Sequence, residues 1–214
     1  MIRLFYVLLL CFVSTSSLSG CFYAGAYGIY KNNQIKNQES IAAMESAHVD
    51  KNNRARVRFV GQATIDIDFY RNQKCYGGEN KTMVSRKGID GLFTSKKPFS
   101  IGMPQTENTK KLSNKDGFLP IYVNKAFYRE YALAAGEPVT ISMSYGETTG
   151  KTSYSCDVEN SYFVPERDKD YEISVDAEPS KGVCVYNISQ ILSESGEVKV
   201  VPLKDRLPAP KCKH

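Results

Sequence analysis

From Ala55 onward, apolar residues recur at every second position, the pattern of strands with one buried face. Ala55, Val57 and Phe59 are interleaved with Arg56 and Arg58, and Ile65, Ile67 and Phe69 with Asp66 and Asp68. Val139, Ile141, Met143 and Tyr145 alternate with Thr140, Ser142 and Ser144, and Tyr171, Ile173 and Val175 with Glu172 and Ser174. Further strands are expected within Pro120 to Leu133, Ser153 to Val158, Val183 to Ile188 and Val198 to Leu203. Turn chemistry separates these runs at Gly77-Gly78, Gly88 to Gly91, Ala135-Gly136-Glu137-Pro138, Gly146 to Gly150 and Pro179 to Gly182. No helical periodicity persists for three turns.

Short one-sided strands at regular spacing predict an all-β fold: an antiparallel β-sandwich, Ig-like or transthyretin-like, or a partly open barrel. About 160 residues are enough for one such domain with a real core. The chain has no Trp, so Phe59, Phe69, Phe99, Phe127 and Phe163 are expected to supply the aromatic bulk. A dense aromatic group at Tyr122, Phe127, Tyr128 and Tyr131 must divide between two strand faces, with Tyr122 and Tyr128 on one, Phe127 and Tyr131 on the other, and at least one set in the core.

The segment before the strands has a different character. Arg3, an apolar run from Leu4 to Val13 and a small polar stretch ending in Leu18-Ser19-Gly20-Cys21 read as the three regions of a secretory signal. The run is too short to span a bilayer permanently, which takes about 20 residues. Leu18-Ser19-Gly20-Cys21 resembles the lipobox of bacterial lipoproteins. That resemblance implies cleavage before Cys21 and a thioether-linked diacylglycerol on it, with palmitate among the acyl chains. Phe22 rather than Asp follows the cysteine, which by resemblance to enterobacterial sorting favours the outer membrane. Phe22 to Asn53 is polar and small, with a helical turn or two suggested only at Ile41 to Met44, and reads as a tether. The expected organisation is therefore signal peptide 1–20, lipidated N-terminus and flexible tether 21–53, and β-sandwich 54–214.

Two fragments resemble uncharacterised β-sandwich lipoproteins of Gram-negative bacteria. These are Ala134-Ala135-Gly136-Glu137-Pro138-Val139-Thr140-Ile141, and Phe163-Val164-Pro165-Glu166 leading into Asp170-Tyr171-Glu172-Ile173. The similarity implies a fold and brings no catalytic residue with it.

Charge and cysteines narrow the functional classes. The chain holds 28 basic and 23 acidic residues, and loss of Arg3 with the signal leaves 27 against 23. So weak an excess is not the dense stripe of a nucleic-acid binder, although it can favour anionic lipid, lipopolysaccharide or an acidic partner. With Cys11 removed and Cys21 lipidated, Cys75, Cys156, Cys184 and Cys212 remain, an even number in an oxidising compartment. Three pairings are possible. The favoured one joins Cys156 to Cys184 across neighbouring strands or between sheets, and Cys75 to Cys212, fixing the Pro208-Ala209-Pro210 tail against the Gly77-Gly78 turn.

Catalytic chemistry has few candidates. Asp66 and Asp68 share a strand face, but Ile65, Ile67 and Phe69 claim the buried side, which leaves the carboxylates on a solvated one. The only histidines are His48, in the polar leader, and His214, at the end, so neither an imidazole-dependent triad nor a zinc site is expected. No cofactor is expected. The sequence favours a non-enzymatic, lipid-anchored binding or assembly module for an envelope protein or glycan, held to the membrane by its lipid. The alternative is an inhibitor or protective factor against a host enzyme, acting through a stiff loop such as Arg71 to Glu79. An envelope hydrolase stands third.

Overall fold

The alternating runs fold as strands whose apolar residues turn to one side and whose polar residues turn to the other. In a computed structural model, residues 43–62, 65–85, 99–113, 126–149, 152–178, 183–194 and 196–213 are described, together with single helical positions at 30, 33, 36 and 40. The strands are β1 (Arg54–Gln62), β2 (Ile65–Arg71), β3 (Lys81–Ser85), β4 (Ala126–Ala134), β5 (Val139–Thr149), β6 (Thr152–Asp157), β7 (Ser161–Phe163), β8 (Asp170–Glu178), β9 (Val183–Glu194), β10 (Glu197–Pro202) and β11 (Leu207–Pro208).

They form two sheets and no barrel. The first runs β10-β9-β8-β1-β4 and the second β11-β7-β5-β2-β3, with β7 and β6 sharing the same edge of β5. The fold is an all-β sandwich, as expected, with one departure from antiparallel pairing. β1 lies parallel to β8, with Val57 opposite Tyr171 and Phe59 opposite Ile173. Parallel neighbours need a long crossover, and β2 to β7 intervene between these two in sequence.

The core lies between the sheets. Val57, Phe59, Tyr131, Leu133, Tyr171, Ile173, Tyr186 and Ile188 from the first meet Ile65, Ile67, Phe69, Val139, Ile141, Met143, Tyr145 and Phe163 from the second. Each such burial contributes roughly 1.5 to 3 kcal/mol. Phe59 stacks on Phe69 at 5.2 Å, and Tyr131 closes the cluster at 5.1 Å from Phe69. Tyrosine thus carries much of the aromatic bulk expected of phenylalanine. Tyr131 is the core member of the aromatic group and Tyr128 lies on the opposite face, half-buried. Tyr122 and the side chain of Phe127 lie outside the described residues.

Several elements depart from the sequence pattern. β3 is buried on both faces at Thr82, Met83, Val84 and Ser85, so it shows no alternation. β7 and β11 are too short for a period to register. β5 continues through Gly146 to Thr149 instead of turning there, because β6 pairs with it antiparallel from Ser144 to Thr149 and satisfies its backbone along that edge. The turn at Ala135-Gly136 is present, with Gly136 at φ +81°, a conformation that suits glycine. Residues 43–48, the last part of the segment read as tether, are helical and sit on the sandwich. Arg71 donates to Glu45 at 2.5 Å, and Ser46 Oγ accepts from the Ala132 amide at 3.3 Å, so this helix touches both sheets.

Candidate functional site

Two polar assemblies stand outside the core, one closed and one open. The closed one lies on the outer face of the first sheet. Cross-strand register places Arg58 of β1 between Glu130 of β4 and Glu172 of β8. Arg58 donates from Nε and Nη2 to Glu130 Oε1 at 2.9 and 2.6 Å, and from Nη1 to Glu172 Oε2 at 3.4 Å. All three side chains are about 1% exposed.

They are covered by residues 99–113, which run beside β4 and end in a short helix, Glu107–Ser113. The other oxygen of Glu130 accepts from Ser100 Oγ (2.8 Å) and from the amides of Ile101 (2.7 Å) and Met103 (3.2 Å). Glu172 accepts from Thr106 Oγ1 (2.6 Å) and Asn108 Nδ2 (2.7 Å). One row away, Arg56 grips Asp170 through two bonds of 2.7 Å and donates to the Gly102 carbonyl at 3.1 Å. Burial pushes the Glu130 carboxyl up, but the bonds from Arg58, Ser100, Met103 and Ile101 outweigh it and hold it below the usual glutamate range. The assembly is a clasp that seats residues 99–113 and shuts Arg58, Glu130 and Glu172 away from solvent, while Arg56 and Asp170 stay partly exposed in a small pocket with Arg54, Asp168 and Lys169. Sequence reasoning missed it. The only signal was opposite charge at matched spacing, Arg56 and Arg58 in β1 against Asp170 and Glu172 in β8.

The open assembly lies at the edge where the C-terminal chain passes from one sheet to the other. After β10, Leu203 donates its amide to Ile188 O (2.8 Å), and β11 then pairs Leu207 with Tyr162 of β7. Ala209 bonds to Asn160 O (2.8 Å), and Tyr76 exchanges backbone bonds with Pro210 and Cys212 at 3.0 and 2.9 Å. A disulfide between Cys75 and Cys212, with Cα atoms 5.0 Å apart, locks the end of this strap to the β2–β3 connection. Gly78 must be glycine here, since a Cβ would lie 2.8 Å from Cys212 Sγ.

Under the strap is a cleft of about 330 Å³ whose lining includes Glu159, Ser161, Val185, Tyr186, Arg206 and Leu207. Its floor is polar, with the Ser161 and Tyr186 hydroxyls hydrogen-bonded to each other. Burial pushes the Tyr186 phenol up from its ordinary value. Arg206 stacks over the Tyr186 ring at 5.5 Å and donates to its carbonyl at 3.1 Å. The rim is apolar, with Val185 46% and Leu207 53% exposed. With Glu159 and Arg206 both in its lining, such a cleft can hold an apolar group beside a hydrogen-bonding one.

The residues singled out from the sequence are distributed as follows. Cys75 and Cys212 are bonded to each other, as favoured. Cys156, opposite Tyr145 in the second sheet, is in a disulfide, while Cys184 stands opposite Ala177 in the first and its side chain lies outside the described residues. Cys21 and His214 also lie outside them. His48 ends the 43–48 helix and bonds to the Met44 carbonyl. Asp66 and Asp68 point away from the core, but they are half-buried instead of solvated, with Ser144 donating to Asp66 at 3.4 Å and Lys81 lying 3.2 Å from Asp68.

Among the described residues, no group of three or more His, Cys, Asp or Glu is arranged to hold a metal ion, and no helix is long and apolar enough to cross a membrane. No protein-family model, curated protein or solved structure matches the chain.

Proposed function

We propose that this chain is a lipid-anchored envelope protein of the binding or assembly type, tethered through Cys21 to the outer membrane and engaging its partner at the disulfide-closed edge. The observation that carries the reading is the cleft beneath the C-terminal strap. It joins exposed aliphatic side chains to a guanidinium on a surface held rigid by backbone pairing and a disulfide, and a preorganised surface loses little entropy on binding. The signal-like N-terminus and the Leu18-Ser19-Gly20-Cys21 pattern support the anchor. Cysteine pairing of Cys156 with Cys184 remains part of this proposal and would join the two sheets.

Affinity capture from outer membranes, with a photo-crosslinking residue at Leu207, tests the reading. A discrete crosslink from Leu207 is expected, and it should fade when Arg206 is replaced by Ala. Crosslinks that ignore both positions would overturn the assignment of the edge. For the anchor, labelled palmitate should enter the wild type and not Cys21→Ser.

A second reading, inhibition of a host enzyme, is favoured by the 72–80 loop. Gln73 bonds to Pro138 O (3.1 Å) and Glu79 O (2.7 Å), and Cys75 is bridged, while Lys74 and Glu79 stay exposed. Crosslinks from Lys74 to a secreted hydrolase, with loss of its activity, would select this reading over the first.

A further inference from the structure

The charge of the chain is distributed unevenly, and the unevenness falls on the strap. After loss of the signal the excess is +4, and the strap, residues 203–213, carries +3 of it: Lys204, Arg206, Lys211 and Lys213 stand against Asp205 alone. Residues 21–202 hold 23 basic and 22 acidic side chains. Lys199 lies 3.3 Å from Glu197. Lys204, Arg206, Lys211 and Lys213 are exposed and have no ion pair among the described residues. Lys74, over the Tyr162 ring, extends the basic strip into the neighbouring loop. Exposed acids nearby are Glu159, which lines the cleft with Arg206, Asp205 on the strap and Glu79 in the Lys74 loop. β10 adds exposed aliphatic groups at Val200 and Val201, of which Val201 shares a strand face with Lys199 while Val200 points to the other side.

We infer that this edge docks on the anionic surface of a phospholipid membrane, with Lys199, Lys204, Lys211 and Lys213 on headgroup phosphates and Val201 at the headgroup boundary, which leaves Arg206 and Leu207 to the partner in the cleft. Interleaved cations and aliphatic side chains are the composition of a surface that lies on a bilayer without crossing it. The inference rests on the proposed lipid anchor for its consequence. From Cys21 to residue 43 the chain can reach at most about 80 Å, so the edge is kept near the bilayer at high effective concentration. Lipid at Cys21 would then hold the protein, and the basic edge would orient it.

The test uses the mature chain carrying Cys21→Ser, which removes the lipid and leaves the edge intact, with sedimentation on phosphatidylglycerol/phosphatidylethanolamine vesicles. The chain should bind at low salt, release as salt rises through a few hundred millimolar, and ignore phosphatidylcholine vesicles. Lys204→Glu/Lys211→Glu/Lys213→Glu should weaken binding on the order of a hundredfold, at roughly fivefold per cation removed. Lys110→Glu/Lys111→Glu, on the helix far from the strap in sequence, should change it less than about threefold. Equal loss in both variants would reduce the effect to net charge and overturn the inference. So would an absence of vesicle binding, or retention on an acidic polypeptide in place of vesicles. Palmitate labelling of the wild type is read separately, so failure of the anchor and failure of the edge are distinguishable.

Discussion

The guanidinium of Arg58 and the carboxylate of Glu130 lie 2.6 Å apart at about 1% exposure, on the sheet face that strand alternation would give to water. Each is what makes the other tolerable there. A buried ion pair is maintained only when its remaining hydrogen-bonding capacity is met, and residues 99–113 meet it. Breaking it from one side should therefore be costly. Glu130→Ala is expected to destabilise the domain by about 3 to 5 kcal/mol, and Glu130→Gln by less, with hydrogen exchange of the Ile101 and Met103 amides rising in both. Unchanged exchange at those amides would disprove the clasp.

The same pair sets a pH dependence. Glu130 is held below its ordinary value near 4.5 in the folded state, so its contribution is complete above that value. It is lost as pH falls through the lower folded value. The Tyr171 and Tyr186 phenols are pushed up from 10 by burial, so their contribution is complete below 10 and is lost as pH rises above it. Urea midpoints measured across pH should fall at both ends, and Glu130→Gln should flatten the acid limb only.

The disulfide should stabilise strongly because it closes a long loop. Cys75 and Cys212 are 137 residues apart, worth about 5 kcal/mol in the chain-entropy model. Cys75→Ser/Cys212→Ser is expected to lower the melting temperature by roughly 10 °C or more. It should also expose the 207–213 strap to limited proteolysis. A shift of only a degree or two would mean that backbone pairing with β7 and Tyr76 holds the strap unaided.

Close packing behind that bridge makes Gly78 sensitive. Gly78→Ala would place a methyl 2.6 Å from Gln73 Oε1 and 2.8 Å from Cys212 Sγ, so it should cost about 1 to 3 kcal/mol. Reduced protein should tolerate the substitution better, since the sulfur is then free to move. Thermal melts of the oxidised and reduced forms give the comparison.

Asp66 and Asp68 serve as a probe of the hydrolase reading. Asp66→Asn/Asp68→Asn should leave the fold intact and cost about 1 kcal/mol through the Ser144 and Lys81 contacts. Loss of a cellular phenotype with an unchanged melting temperature would point to acid and base chemistry at this pair.

What the sequence determined by itself was the set of core-facing positions. Val57, Phe59, Ile65, Ile67, Phe69, Ile141 and Ile173 all turn inward as their alternation requires, because side-chain direction in a strand is a local property of the pleat. The Cys75–Cys212 bridge was legible too, since the proline-flanked tail had no pattern of its own to hold it. The tertiary structure alone decided what became of the polar faces. Arg56 and Arg58 read as solvent-facing, yet Arg58 is buried, because its partners Glu130 and Glu172 are 72 and 114 residues away and the covering segment 99–113 has no periodicity to announce it. Alternation fixes which way a side chain points, whereas what lies on that side depends on register and on segments brought from elsewhere in the chain. The cleft is of the same kind. Tyr186, Arg206 and Leu207 meet only because β9 belongs to one sheet and β11 to the other, and the strap between them crosses the edge.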